Sequence, residues 1–303
     1  MKKNVTNVSA SVLARLKNIS EKENIDFNFL LLRYVQERFL FRLAVSDYAN
    51  RFVLKGGLLL LAYSVQKARP TKDIDFLGVN VSNDRKELER IVREISSVTL
   101  SDGITFAGDS IDSEEIKDEA DYSGVRIKPT AEIGAARNKI RIDFGFGDIV
   151  TPPPLLMNYP TLLGKEHVKV LAYSKETIVA EKFEAIVKLS IFNSRMKDFF
   201  DLVFLTREFD FNGQLLQSAI RNTFRQRQTS LEAAEALLNS NLGEQVSFQR
   251  LWDAFKKRTR LVSPMGFKDV FSEIQVFLGP IVEAELGGKI LKVTWKQKVT
   301  KWE

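Results

Sequence analysis

Residues 52–79 read FVLKGGLLLLAYSVQKARPTKDIDFLGV, and the fold turns on them. Phe52-Val53-Leu54 is a short apolar strand that runs into Gly56-Gly57. Leu58 to Val65 then form an apolar helix, and Arg69-Pro70-Thr71-Lys72 leads into a second strand, Asp73 to Val79. Side chains two residues apart in a strand share a face, so Asp73 and Asp75 stand side by side. Adjacent carboxylates repel, and a divalent cation reverses that cost. A solvated strand end carrying two acids is the plain alternative, because the tripeptide is short and common. The Lys55-Gly56-Gly57 turn sharpens the pattern. Its glycines let backbone approach a ligand closely, and the following helix offers free N–H groups to phosphate.

Outward from this stretch, residues 8–48 are helical by apolar spacing, with Val12, Leu13 and Leu16 on one helix. Phe29, Leu30, Tyr34, Val35, Phe39 and Leu43 lie on a second, which Asp26 caps. Residues 84–97 form a helix with Leu88, Ile91, Val92 and Ile95 inward. Strands follow at Ile104 and Phe106, at Gly124-Val125-Arg126-Ile127, and at Lys139 to Phe144. The last places a third carboxylate, Asp143, within reach if its strand pairs beside that of Asp73. Two acids would then bridge metal while the third activates an incoming hydroxyl. Asp148 is a weaker competitor for that role.

Thr151-Pro152-Pro153-Pro154 cannot sit inside a sheet and marks a boundary. Beyond it, Ser174 caps a helix over 175–191, a second runs from Arg195 to Leu205, and four more follow near 212–226, 230–240, 247–258 and 267–279. The expected division is residues 1–50 as packing helices, 51–150 as a strand-rich core, 151–172 as linker, 173–287 as a helical C-terminal domain and 288–303 as a basic tail. That tail is either a short added strand or a mobile arm.

Composition narrows the chemistry. The 303 residues include no cysteine and one histidine, His167. Disulfides, thiolate metal sites and cysteine nucleophiles are excluded, and a Ser-His-Asp arrangement is hard to build. Catalysis must run on carboxylates, Lys and Arg, with an oxygen-ligated ion such as Mg²⁺. His167 is expected to be exposed and inert, and Trp252 and Phe255 to be core. The net charge of +6 is compatible with a polyanionic partner. Lys2 and Lys3 precede no apolar run, and no segment is long enough for a membrane span, so a cytoplasmic protein is expected.

These residues resemble the AbiEii/AbiGii toxin-type nucleotidyltransferases of the DNA polymerase β-like superfamily. The likeness rests on Phe52 to Gly57, on Arg69 to Phe76, and on Ile140-Arg141-Ile142-Asp143. It continues at Ala180-Glu181-Lys182-Phe183-Glu184-Ala185 and at Arg195 to Leu202, with the helix Leu31 to Leu40 and the region Ala219 to Arg227. It spans about residues 10–285.

The resemblance implies an α+β fold: a small mixed β-sheet nucleotidyltransferase core with flanking helices, followed by a mainly helical C-terminal domain. It implies transfer of a nucleoside monophosphate from an NTP with release of pyrophosphate. Asp73 and Asp75 match the metal-binding pair, Asp143 the third acidic position, Lys182 the lysine of the third motif and Asp198 the acid of the fourth. Lys182, with Lys188, Arg195 and Lys197, would form a basic wall for the triphosphate. Lys55, Gly56, Gly57, Arg69 and Thr71 are the remaining nucleotide-binding candidates. Many such enzymes carry a serine after the first glycine of the turn; here Gly57 and Leu58 stand there, leaving backbone N–H groups, Lys55 or the second domain to hold phosphate. The implied partners are an NTP, Mg²⁺ or Mn²⁺, an RNA acceptor such as the tRNA 3′ end, and a cognate antitoxin in a toxin–antitoxin or phage-defence pair. A protein or small-molecule acceptor, or a non-catalytic nucleotide-binding module, are the alternatives.

Overall fold

The computed structural model describes residues 7–64, 68–117, 123–164, 167–189, 195–259 and 265–303. The N-terminal lysines and the expected helix end at Val65 lie outside them, as does the stretch after 189 assigned to the helix 175–191. Two units are defined. The first holds residues 1–62, 70–147 and 155–172, and the second 63–69, 148–154 and 173–303.

The first unit opens with α1 (Val8–Glu23) and α2 (Phe27–Ala44). Asp26 caps α2 by accepting from the Phe29 N–H at 3.0 Å. Strand β1 (Phe52–Lys55), helix α3 (Gly56–Tyr63), β2 (Asp73–Gly78) and α4 (Arg85–Ser97) follow. The rest are β3 (Thr105–Lys117), β4 (Ser123–Ile133), β5 (Ala136–Lys139), β6 (Arg141–Phe146), β7 (Leu155–Tyr159) and β8 (Val168–Ala172). They form one mixed sheet in the order β3-β4-β6-β2-β1-β8-β7, with β5 on β4. The central pair β2/β6 is parallel, and β1 runs antiparallel to β2.

Strict alternation gives the centre of the sheet two unlike faces. Leu54, Ile74, Phe76, Val125, Ile127, Ile142 and Phe144 are all buried on one. Phe52, Phe76 and Phe144 meet there with ring centroids 5.0–5.9 Å apart. Lys55, Asp73, Asp75, Arg126, Arg141 and Asp143 share the other, each partly exposed. Burial of the apolar face fixes the register, since a one-residue slip would turn the charges into the core.

Residues 155–172 were expected to be linker. They instead add β7 and β8, and β8 pairs in parallel with β1. Val168, Val170 and Ala172 alternate inward, a five-residue pattern too short to stand out between Pro154 and Ser174.

The second unit is mainly helical: α5 (Lys175–Leu189), α6 (Met196–Glu208), α7 (Gly213–Gln226), α8 (Leu231–Leu238), α9 (Val246–Thr259) and α10 (Phe267–Leu286). Ser174 caps α5, accepting from the Thr177 N–H at 3.3 Å. Trp252 and Phe255 are core, with Phe267 among their ring neighbours. Helix α10 continues past its expected end near 279, through Pro280. Phe277, Leu278, Ile281 and Val282 are all buried around the proline, and their packing offsets the lost helical bond. The basic tail is a strand structure: β10 (Thr294–Lys296) and β11 (Lys301–Trp302) join β9 (Phe211–Asn212) in a small antiparallel sheet.

Candidate active site

The strand registers assemble one charged row across five strands. Glu114 on β3 faces Arg126 on β4, Arg126 faces Asp143 on β6, Asp143 faces Asp75 on β2, and Asp75 faces Lys55 on β1. Every junction in the row joins opposite charges except one, Asp75 against Asp143. Two residues back, Asp73 faces Arg141 in the same parallel pair. The three acids named from the sequence are therefore neighbours on one face.

Each acid has a distinct environment. Asp75 packs against the turn: Gly56 has φ +69°, and a methyl group there would lie 2.0 Å from Asp75 Oδ2. Only glycine satisfies both the left-handed backbone and the close carboxylate. Asp73 Oδ1 lies 2.7 Å from Arg141 Nε as an ion pair, but off the hydrogen-bond direction, and is shielded from solvent without a directed donor. Asp143 is gripped at both oxygens by Arg126, whose Nε and Nη2 each lie 2.7 Å away. That fork raises the Arg126 pKa above its ordinary value. Lys55 approaches Gly145 on β6, its Nζ 4.0 Å from where a Cβ would stand. Gly57 and Thr71 are buried.

A hard cation suits this donor set in part. Mg²⁺ is commonly held by one or two carboxylates plus substrate phosphates, and Asp73 and Asp75 supply that pair. Among the described residues no group of three or more His, Asp or Glu side chains is arranged to hold a metal. Arg126 occupies both oxygens of Asp143.

In the second unit, Lys182 on α5 donates to Asp201 at 2.6 Å and to Asp198 at 3.2 Å, both on α6. Arg69 forks onto Asp201 through Nε at 3.0 Å and Nη2 at 2.9 Å. Arg195 Nε lies 3.0 Å from Asp198 Oδ2. Lys182, Asp198 and Asp201 are buried. Burial works against the Lys182 charge, but Asp201 and Asp198 outweigh it and raise its pKa. Burial likewise opposes the Asp198 charge, and Lys182, Arg195 and Lys197 prevail, holding its pKa down. The sequence set Lys182, Lys188, Arg195 and Lys197 on one basic wall and named Arg69 as a separate nucleotide-binding candidate. Lys182 is not on a solvated wall; it is the buried hub of the network, while Lys188, Arg195 and Lys197 are exposed.

Three arginines escaped the sequence reading as site-forming groups: Arg126, Arg141 and Arg227. Arg126 sits at the polar position of the Gly124-Val125-Arg126-Ile127 alternation, which was the available signal. Arg227 gathers Asp148 (3.1 and 2.9 Å), Glu184 (2.9 Å) and Glu181 (3.2 Å) within the second unit. Asp148 is thus part of that network. His167 is exposed, as expected.

The parallel β2/β6 pair with acids in register, the glycine turn and the helical second unit define a nucleotidyltransferase. The family model "Nucleotidyl transferase AbiEii toxin, Type IV TA system" matches residues 38–273. The chain belongs to that family, whose membership carries a nucleotide substrate and an antitoxin partner. No curated relative matches the sequence. Among solved structures, a Helicobacter pylori protein assigned as a nucleotidyltransferase is similar at 17% identity, with TM-score 0.50 over 86% of this chain and 97% of that one. JHP933 from Helicobacter pylori shares 17% identity with TM-score 0.47, over 87% and 95% of the two chains. An antigenic nucleotidyltransferase-like protein from Paracoccidioides brasiliensis shares 16% identity with TM-score 0.33, over 77% and 94%. No described helix is long and apolar enough to cross a membrane.

Proposed function

We propose that the chain is a metal-dependent toxin that transfers a nucleoside monophosphate from an NTP to an RNA hydroxyl, the tRNA 3′ end in particular, in the cytoplasm. The observation that carries the chemistry is the single like-charge junction of the row, Asp75 against Asp143, with Asp73 beside it. Two carboxylates in register on neighbouring parallel strands repel, and a divalent cation between them turns repulsion into binding.

The acceptor hydroxyl oxygen attacks the α-phosphorus, the α–β bridging P–O bond breaks, and pyrophosphate leaves with the electron pair. A bound Mg²⁺ would supply charge neutralisation on the triphosphate. Asp73 and Asp75 would hold it, with Asp143 as a third ligand once Arg126 releases it. Asp143, once free of Arg126, accepts the hydroxyl proton. Lys55 stands at the end of the same row as a point charge for phosphate. Gly56-Gly57 opens α3, whose first N–H groups are unpaired within the helix and suit an oxyanion. In this reading Arg195 and Lys197 offer exposed charge to phosphate, with Asp198 orienting Arg195, and the buried Lys182 positions Asp198 and Asp201. The basic net charge supports a polyanionic acceptor.

The test is incubation of the full chain with Mg²⁺, total cellular RNA and each α-labelled NTP in turn. Label in a tRNA-sized band, absent with the Asp73→Ala/Asp75→Ala variant, is the expected result. Label in protein would replace the acceptor, and label unaffected by the variant would overturn the site.

A further inference from the structure

Asp143 cannot both ligate a cation and keep its present partner. Arg126 meets its two oxygens in a parallel fork, 2.7 Å on each side, the strongest geometry a guanidinium and a carboxylate adopt. The fork is not sealed: the Arg126 and Asp143 side chains retain 26% and 18% of their exposure. A second carboxylate waits on the outer neighbour of Arg126. Glu114 Oε1 already accepts a long hydrogen bond from Arg126 Nη1 at 3.4 Å, and is held more closely by Lys128 Nζ at 2.8 Å. Glu114, Arg126 and Asp143 lie in one cross-strand row, so the guanidinium can change partner by side-chain rotation without any strand moving.

We propose that Arg126 is a positioning residue that competes with the divalent cation for Asp143 and transfers to Glu114 when the cation arrives. Arg126 offsets the Asp75–Asp143 repulsion while no cation is bound. It yields the third carboxylate only when a cation replaces its charge. The consequence is a metal affinity set below what the three acids alone would give, and a proton acceptor that is disengaged until the site is loaded. This rests on the metal-site reading above.

Mn²⁺ binding to the full chain without nucleotide, followed by electron paramagnetic resonance, tests it. Arg126→Gln is expected to bind Mn²⁺ about tenfold more tightly than wild type, since one competing charge-assisted fork is removed. Arg126→Lys keeps the charge but not the fork and is expected to fall between, and it decides the matter if Arg126→Gln does not fold. Glu114→Gln removes the alternative seat and is expected to weaken Mn²⁺ binding several-fold. A merely structural role for Arg126 predicts the opposite sign, weaker binding on loss of the residue. Wild-type binding that Asp73→Ala/Asp75→Ala abolishes, with Arg126→Gln unchanged or weaker, overturns this inference and leaves the metal site standing. Absence of Mn²⁺ binding in both wild type and Arg126→Gln overturns the two together.

Discussion

Gly56 carries two demands at one Cα. Its φ of +69° is left-handed, and the Asp75 carboxylate fills the space a side chain would take. Gly56→Ala should therefore cost about 1–2 kcal/mol in backbone strain. It should also push Asp75 off its seat, because the carboxylate is closer than any real Cβ contact. The expected outcome is a large loss of nucleotidyl transfer with a modest drop in the denaturant midpoint. Full activity would mean that Asp75 has another position from which to work. The need for glycine here was readable in Lys55-Gly56-Gly57, since a turn between strand and helix calls for it. The acids were readable too, from period-two spacing. Arg126 was not, because its partner Asp143 is reached through the β4/β6 register, and nothing local to Val125-Arg126-Ile127 says which strand lies alongside.

At the scale of elements, α5 and α6 are joined by charge buried between them. Lys182, Arg69 and Arg195 set three cations against Asp198 and Asp201. Asp198 and Asp201 are spaced i, i+3 and share a face of α6, and the sequence placed Lys182 on the preceding helix. It could not show burial, because a lysine among Ala180, Phe183 and Ile186 is equally at home at a helix flank, and only packing decides. The sign of the pH dependence follows from the shifts. The Asp198 pKa is depressed in the folded chain, so its contribution is full above its unfolded value of about 3.9 and is lost as pH falls through the folded value. The Lys182 pKa is raised, so its contribution is full below about 10.4 and is lost as pH rises through the folded value. Asp198→Asn should lower stability across neutral pH, since it leaves Lys182 and Arg195 short of a partner, and should flatten the acid limb below about pH 4. Urea titrations of both proteins from pH 2 to about 7 check it, and an unchanged acid limb would assign acid unfolding to other carboxylates.

At the scale of the whole molecule, the excess of basic residues has a mounted outlet in the C-terminal hairpin. Trp295 and Trp302 pair across β10 and β11 and turn inward onto Phe277, at 4.8 and 5.6 Å between ring centroids. Their indole N–H groups donate to the Thr206 and Phe277 carbonyls at 2.8 and 3.0 Å. The opposite face then presents Lys296 directly across from Lys301, a like-charge pair that costs stability. Asp210 holds Lys296 at 3.1 Å, whereas Lys301 and the turn residue Lys298 are exposed. The sequence left this tail open between arm and strand, because its three-residue and two-residue strands are too short for periodicity to decide. With RNA as acceptor, exposed lysines on an anchored hairpin contribute through release of counterions from phosphate. Each phosphate neutralised adds about 0.7–0.9 to the slope of log K against log salt. Lys298→Gln/Lys301→Gln should therefore reduce that slope by up to about 1.4–1.8 and weaken tRNA binding at low salt far more than at high salt. The tryptophans that hold the hairpin are untouched, so the fold is spared. A double variant with the wild-type slope would move the RNA contact to other basic residues and leave the like-charge pair as a device against edge-to-edge strand pairing at β11.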